Sequence, residues 1–283
     1  MSIKNVCIIG AGVMGSGIAQ LVSFHGYNVE LVDLDEETLN IAKKSIEMNL
    51  QKFFVEKNKI TDEEKENILE RIHLNTEINE AVINAQMIIE AVFEDLSLKQ
   101  KLFSKLDRIC NGDVILASNT SSLCIADIAI KSINKGRIVG IHFFNPAPVM
   151  KLIELIKCEH TTEDTLIKSK NFSESLNKTV VTIKDSPGFV TSRLIYVLCN
   201  EAINLLSKGI ASAKDIDTAC KLAFNFPMGP IELSDLVGND IYYHIGEYLS
   251  SKLGDEYHPS SLLKEMVEED LLGRKTKKGF YEY

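Results

Sequence analysis

The 283-residue chain has no tryptophan, which bears on no function, but its other shortfalls are more instructive. Its six cysteines (Cys7, Cys110, Cys124, Cys158, Cys199, Cys220) are scattered singly, with no Cys-x-x-Cys pair. That pattern disfavours structural zinc and a disulfide framework and fits reduced thiols in a cytoplasm. No stretch approaches the ~20 consecutive apolar residues of a membrane span. Met1-Ser2-Ile3-Lys4-Asn5 leads directly into Val6-Cys7-Ile8-Ile9, so no secretory leader is expected. Basic charge is in deficit, with 31 Lys and Arg against 40 Asp and Glu, a net charge of −9 and a pI near 5.3. Nucleic acid as a main partner needs a broad basic footprint, which this balance excludes. A small phosphorylated ligand remains open, because it needs only a few local cations and backbone N–H groups. There is no repeat and no low-complexity tract. With 45% apolar and 25% charged residues, the composition is that of an ordinary globular protein, long enough for two domains or one large one.

Apolar β-rich runs alternate with amphipathic stretches through the first two-thirds of the chain. Strands are expected at Lys4–Ile9, Asn28–Asp33, Arg71–Leu74, Met87–Ala91, Val114–Ser118, Ile138–His142, Leu152–Ile156 and Thr179–Ile183. Helices are expected at Val13–His25, Glu36–Asn58, Leu98–Ile109 and Thr162–Leu176. Runs such as Met87-Ile88-Ile89 are continuously apolar rather than alternating, which suits a parallel sheet buried on both faces. After Asp185-Ser186-Pro187-Gly188 the strand signal stops, and helical patterns follow at Arg193–Ser207, Ala213–Ala223, Ile231–Lys252 and Ser260–Asp270. The fold class expected is α/β, a Rossmann-type doubly wound and mostly parallel sheet (residues 1–185), with a C-terminal all-α domain (residues 186–283).

Gly10-Ala11-Gly12-Val13-Met14-Gly15 is a G-x-G-x-x-G. It follows an apolar strand and opens a helical pattern, the context in which its glycines allow a tight turn, backbone approach to a pyrophosphate and close packing of helix on strand. The second strand ends in Asp33, 21 residues after Gly12. An acid there can accept both ribose hydroxyls of an adenosine and would repel a 2′-phosphate. The cofactor expected is NAD, with NADP the weaker alternative.

His142 closes a strand that should be buried, at the sheet end that faces a ligand crevice in doubly wound folds. In Met150-Lys151-Leu152-Ile153-Glu154-Leu155-Ile156, alternation places Glu154 among apolar side chains, where a carboxylate is costly unless paired. A strand returning from His142 would bring the two together, and the carboxylate would orient the imidazole and raise its proton affinity, as suits a general base. Ser118-Asn119-Thr120-Ser121-Ser122 follows another strand end, where a hydroxyl either meets a substrate oxygen or caps a helix starting near Ile125. Ser, His and Glu also suggest a hydrolase triad, but there is no G-x-S-x-G turn and a dinucleotide site would be idle in a hydrolase.

Taken together, Gly10–Gly17, Ser118–Leu123, the run from His142-Phe143-Phe144-Asn145-Pro146 to Met150, Pro187-Gly188-Phe189, Pro227-Met228-Gly229-Pro230 and Gly273 to Tyr281 resemble the short-chain L-3-hydroxyacyl-CoA dehydrogenases. The resemblance spans essentially the whole chain. It implies oxidation of a (3S)-3-hydroxyacyl-CoA to the 3-ketoacyl-CoA, or the reverse, with NAD(H), His142 taking the 3-hydroxyl proton beside its partner Glu154. It implies that Ser121 binds the 3-oxygen, that Asn145 lines the pocket, and that Glu94, Lys99 and Asn119 lie by the cofactor. Lys52 and Lys57 either meet the CoA phosphates or sit on a solvated helix face. At least a dimer through the helical domain is also implied. One departure stands out: the family pattern has Asn immediately before the Arg of Pro187-Gly188-Phe189-Val190-Thr191-Ser192-Arg193, where this chain has Ser192. The shorter side chain would need a shifted backbone or a water to reach the thioester or Ser121, so lowered turnover is expected. The rival readings are a dehydrogenase of a free hydroxy or sugar acid and a non-catalytic NAD-binding protein.

Overall fold

The computed structural model describes residues 3–283. Two compact units divide the chain, Met1–Asp185 and Ser186–Tyr283. The first is an eight-stranded sheet in the order β3-β2-β1-β4-β5-β6-β7-β8. Its strands are β1 (Asn5–Ile9), β2 (Asn28–Val32), β3 (Ile72–Asn75), β4 (Met87–Glu90), β5 (Ile115–Ser118), β6 (Ile138–Phe143), β7 (Leu152–Lys157) and β8 (Thr179–Lys184). All neighbouring pairs are parallel except β6 and β7, which run antiparallel. Strand order reverses at β1, between β2 and β4, where doubly wound folds open their crevice.

The helices of this unit are α1 (Val13–Phe24), α2 (Glu36–Leu50), α3 (Asp62–Glu70), α4 (Ile78–Ala81), α5 (Leu96–Ile109), α6 (Ile125–Ile128) and α7 (Glu163–Ser175). They cover a sheet whose central strands are sealed: Ile8, Leu31, Met87, Ile88, Ile89, Leu116 and Ile141 are fully buried. Burying each such side chain contributes roughly 1.5–3 kcal/mol. Three details differ from the sequence reading. The expected Glu36–Asn58 helix is α-helical only to Leu50 and continues as a π-helical turn over Gln51–Val55. Neither α3 nor the one-turn α4 is among the expected helices, although Thr61 and Glu64 form a capping box at the start of α3, a signal written in the Thr-x-x-Glu spacing. No Ser or Thr caps α6; the Asp185 carboxylate accepts its first N–H groups instead, from Ile125 at 3.0 Å and Ala126 at 2.8 Å.

The second unit consists of α8 (Thr191–Ser207), α9 (Ala213–Ala223), α10 (Pro230–Val237), α11 (Asn239–Leu253) and α12 (Ser261–Glu268). The single helix expected over Ile231–Lys252 is two, because Gly238 has φ +117°, a conformation that α-helix excludes and glycine tolerates. Asn239 then ties the break to Ser234, Asp235 and the Leu271 carbonyl. Two buried acids hold the chain end: Asp217 accepts N–H groups from Ile231 and Glu232 and the Tyr281 hydroxyl, and Asp235 accepts from Phe280 and Tyr281 N–H. Among the described residues no helix is long and apolar enough to cross a membrane.

At the end of the sheet opposite the crevice, Arg137 grips Asp107. Its Nη2 lies 2.9 Å and its Nε 3.2 Å from Asp107 Oδ1, and both side chains are nearly sealed from water. Asp107 also accepts N–H from Ile133 and Asn134. Desolvation pushes this carboxyl up, but the Arg137 guanidinium and the two N–H donors outweigh it and hold it below the ordinary aspartate value. A carboxyl depressed in the folded state stabilises the fold fully above its unfolded pKa, about 3.9, and loses that contribution as pH falls through the folded value. In acid titrations followed by thermal unfolding, wild-type Tm should therefore drop more steeply below about pH 4 than that of Asp107→Asn. Parallel acid limbs would show that the ion pair does not control acid stability.

Candidate active site

Strands β1 and β2 are parallel neighbours, so the turns at their C-terminal ends meet. Gly10 closes β1 with φ +101°, and a Cβ on it would lie 2.6 Å from the Ala91 carbonyl oxygen. A Cβ on Gly15 would overlap the Gly10 carbonyl oxygen at 1.7 Å. Gly12, the N-cap of α1, is different: its Cβ would meet nothing within 4 Å, and no side chain caps the helix. Val13, Met14 and Gly15 therefore begin an uncapped helix beside open space, where N–H groups and the helix dipole favour an anion. The Asp33 carboxylate, just past β2, accepts the Ala11 N–H at 2.8 Å and the Asp35 N–H at 3.2 Å, which fixes it beside this loop. A cradle that a Cβ at residue 12 would fill, with an acid at its rim, fits a dinucleotide whose ribose hydroxyls reach the acid.

Antiparallel pairing places His142 of β6 directly opposite Glu154 of β7. Their side chains meet at 2.8 Å, Nδ1 to Oε2, with His142 5% exposed and Glu154 0%. A carboxylate can only accept, so Nδ1 carries the proton and Nε2 is the basic nitrogen of the neutral ring. The ring packs on Phe144, with centroids 4.4 Å apart. Asn119 is placed by its backbone, whose N–H donates to the Glu90 carbonyl. Its side-chain oxygen accepts the Phe143 N–H at 2.8 Å, next to His142.

The Ser/Thr run after β5 is organised by Glu94. One oxygen of that carboxylate accepts the Thr120 hydroxyl at 2.5 Å, the Ser121 N–H at 3.0 Å, and the Ser122 N–H at 3.2 Å and hydroxyl at 3.3 Å. The other lies 3.3 Å from the Lys99 ammonium. Crowding by protein atoms pushes the Glu94 carboxyl up, but Lys99, Thr120 and Ser121 together hold it below the ordinary glutamate value. Lys99, 1% exposed, also bonds Glu90 at 2.5 Å, and Glu90 accepts the Ser118 hydroxyl at 2.7 Å and the Val92 N–H at 2.8 Å. Burial raises the Glu90 carboxyl, against the opposing pull of Lys99 and Ser118. Glu90 escaped the sequence reading; its signal is an acid closing the apolar run Met87-Ile88-Ile89.

A cleft of about 780 Å³ joins the glycine loop to the tail of α2: Gly12, Val13, Phe53, Phe54, Lys57, Lys59 and the exposed Asn145 line it. Lys52 does not; its ammonium sits 5.5 Å from the Phe53 ring. Ser192 lies in the second unit, in the first turn of α8. Among the described residues no group of three or more His, Cys, Asp or Glu could hold a metal ion.

Two family patterns account for the chain: the 3-hydroxyacyl-CoA dehydrogenase NAD binding domain matches residues 5–186 and the C-terminal domain of the same family residues 188–283. The chain belongs to the 3-hydroxyacyl-CoA dehydrogenase family. It is 41% identical over 284 residues to a probable 3-hydroxybutyryl-CoA dehydrogenase of Bacillus subtilis, covering 100% of this chain and 98% of that one. It is 42% identical to the human mitochondrial hydroxyacyl-coenzyme A dehydrogenase, covering 99% and 91%. Among solved structures, (S)-3-hydroxybutyryl-CoA dehydrogenase from Ralstonia eutropha superposes with a TM-score of 0.95 at 38% identity, covering 100% and 99%.

The glycines of this family member separate fold from ligand. Gly12→Ala should leave Tm within about 2 °C, since a Cβ there touches nothing, yet weaken NADH binding at least ~10-fold by filling the pyrophosphate approach. Gly15→Ala should lower Tm by several degrees, as overpacking costs about 1–3 kcal/mol. Fluorescence titration and calorimetry check both, and unimpaired NADH binding by Gly12→Ala would remove the cradle.

Proposed function

We propose that this chain interconverts (3S)-3-hydroxybutyryl-CoA, or a similarly short 3-hydroxyacyl-CoA, with acetoacetyl-CoA. The observation that carries the reading is the sealed His142–Glu154 pair at the strand ends of a sheet whose glycine loop is open to a dinucleotide. NAD supplies the hydride acceptor when bound. Gly10, Gly12, Val13, Met14 and Gly15 would hold its pyrophosphate and Asp33 its ribose hydroxyls, an acid that disfavours NADP. Glu94, Lys99 and Asn119 would lie toward its reactive end.

In the oxidative direction His142 Nε2 takes the proton of the substrate 3-hydroxyl, and the buried Glu154 carboxylate stabilises the imidazolium that forms. Ser121, whose N–H is spent on Glu94, presents its hydroxyl to the 3-oxygen. Asn145 and Lys57 on the cleft would meet the CoA moiety, with Lys52 adding charge at its margin. Family membership over the whole chain favours this reading over a free hydroxy acid substrate. We further assign the enzyme to the cytoplasm, in keeping with six cysteines that form no disulfide. Its working form would be at least a homodimer, supported by the exposed apolar residues Leu194, Val197, Ile210, Leu222 and Phe224 of the helical unit.

Removing the base tests the chemistry. In assays of NADH formation from 3-hydroxybutyryl-CoA, His142→Gln should lose ~10²–10⁴-fold in kcat while retaining NADH affinity. Activity within a few-fold of wild type would overturn the assignment of the base. Ser192→Asn addresses the one departure from the family pattern. If Ser192 forgoes a donor, the substitution raises kcat by up to ~10²-fold; an unchanged or lower kcat would dispose of that idea.

A further inference from the structure

Glu90 is fully buried at the end of β4, although the sheet does not need its side chain: the backbone already pairs β4 with β5 and receives the Asn119 N–H. Replacing a buried ion pair by apolar groups is often neutral or stabilising, so this one calls for another account. Its connections supply it. Glu90 Oε1 accepts Lys99 Nζ and the Val92 N–H, and Oε2 accepts the Ser118 hydroxyl, so the carboxylate is fixed from three directions. Lys99, equally buried, is thereby held where it can also face Glu94. Glu94 in turn gathers four donors from Thr120, Ser121 and Ser122.

We infer that Glu90 is a positioning residue: through Lys99 it sets the Glu94 carboxylate, and through Glu94 the turn that presents Ser121 to the substrate oxygen. The chain of contacts is Ser118–Glu90–Lys99–Glu94–Ser121. Two carboxylates share one ammonium, so the charge on Glu90 decides where the ammonium sits. Without that charge Lys99 is drawn toward Glu94, which rotates off its four donors and loosens the turn. This role rests on the dehydrogenase reading for its kinetic consequence, but not for its structural one.

Glu90→Gln isolates the charge. The amide oxygen can still accept from Lys99 and Val92, and one amide N–H can donate to Ser118 Oγ, so the carboxylate's charge is lost while most of its contacts are kept. The Ser118 hydroxyl hydrogen and the second amide N–H must turn to other acceptors. Tm should stay within about 3 °C, whereas amide exchange at Ser121 and Ser122 should accelerate at least about tenfold. With acetoacetyl-CoA and NADH, kcat should fall about tenfold with KM changed less than about threefold. In a Ser121→Ala background the same substitution should cost almost nothing further, because residues acting in one network are not additive. Full additivity with Ser121→Ala, or unaltered exchange at Ser121 and Ser122, would overturn the inference. Should the wild-type chain prove inactive toward acetoacetyl-CoA, the dehydrogenase reading fails, and the exchange measurement alone decides the role of Glu90.

Discussion

A buried carboxylate must find a cation or a set of donors, and this constraint shapes the first unit. Its central strands are sealed by helices, so charge can be carried cheaply only at strand ends. Glu90 closes β4 and Glu154 lies opposite the end of β6, both without exposure to water. Each meets a basic side chain, Glu90 that of Lys99 and Glu154 that of His142. Removing either partner would leave an uncompensated buried charge, which costs far more than the pair itself contributes. The site is therefore rigid for the same reason that it is charged.

The two pairs serve different ends. Because a carboxylate accepts only, Glu154 dictates which nitrogen of His142 keeps its proton. Glu90 holds the Lys99 side chain, which offers no choice of tautomer, and so fixes a position. Asn119 joins the two halves: its backbone bonds to Glu90 and its side chain to the residue after His142. His142 and the Ser121 turn are thus referenced to the same strand end, which matters for the proposed departure of hydride and proton from neighbouring atoms of one substrate.

How much of this could be read beforehand depended on the range of the interaction. Period-2 alternation alone put Glu154 among apolar residues, and a return strand then made His142 its natural partner. The glycine loop and Asp33 were equally legible, since each glycine answers a local steric demand. The Glu90–Lys99–Glu94 relay was not, because its partners converge only once β4, α5 and the turn after β5 are packed. Helix breaks behaved similarly: a glycine within an apolar period reads as tolerated, and only the conformation of Gly238 and the ties of Asn239 show why α10 and α11 separate. Lys52 and Lys57 show what sequence leaves open, for charge on a helix tail does not say which side faces the cleft, and of the two only Lys57 lines it.

A net charge of −9 works against a broad phosphate-binding surface, yet the groups that would meet the pyrophosphate carry no formal charge. They are backbone N–H groups of an uncapped helix start, made approachable because residue 12 has no side chain. Acidity elsewhere is screened within about 8–10 Å at ordinary ionic strength, whereas N–H donors act at contact. The acid that does lie close, Asp33, is tied to the loop through Ala11, so its charge is fixed at the rim. There it can accept ribose hydroxyls while opposing a third phosphate. Selectivity between the two nicotinamide dinucleotides would then be set by one carboxylate held in place by the very loop proposed to receive the pyrophosphate.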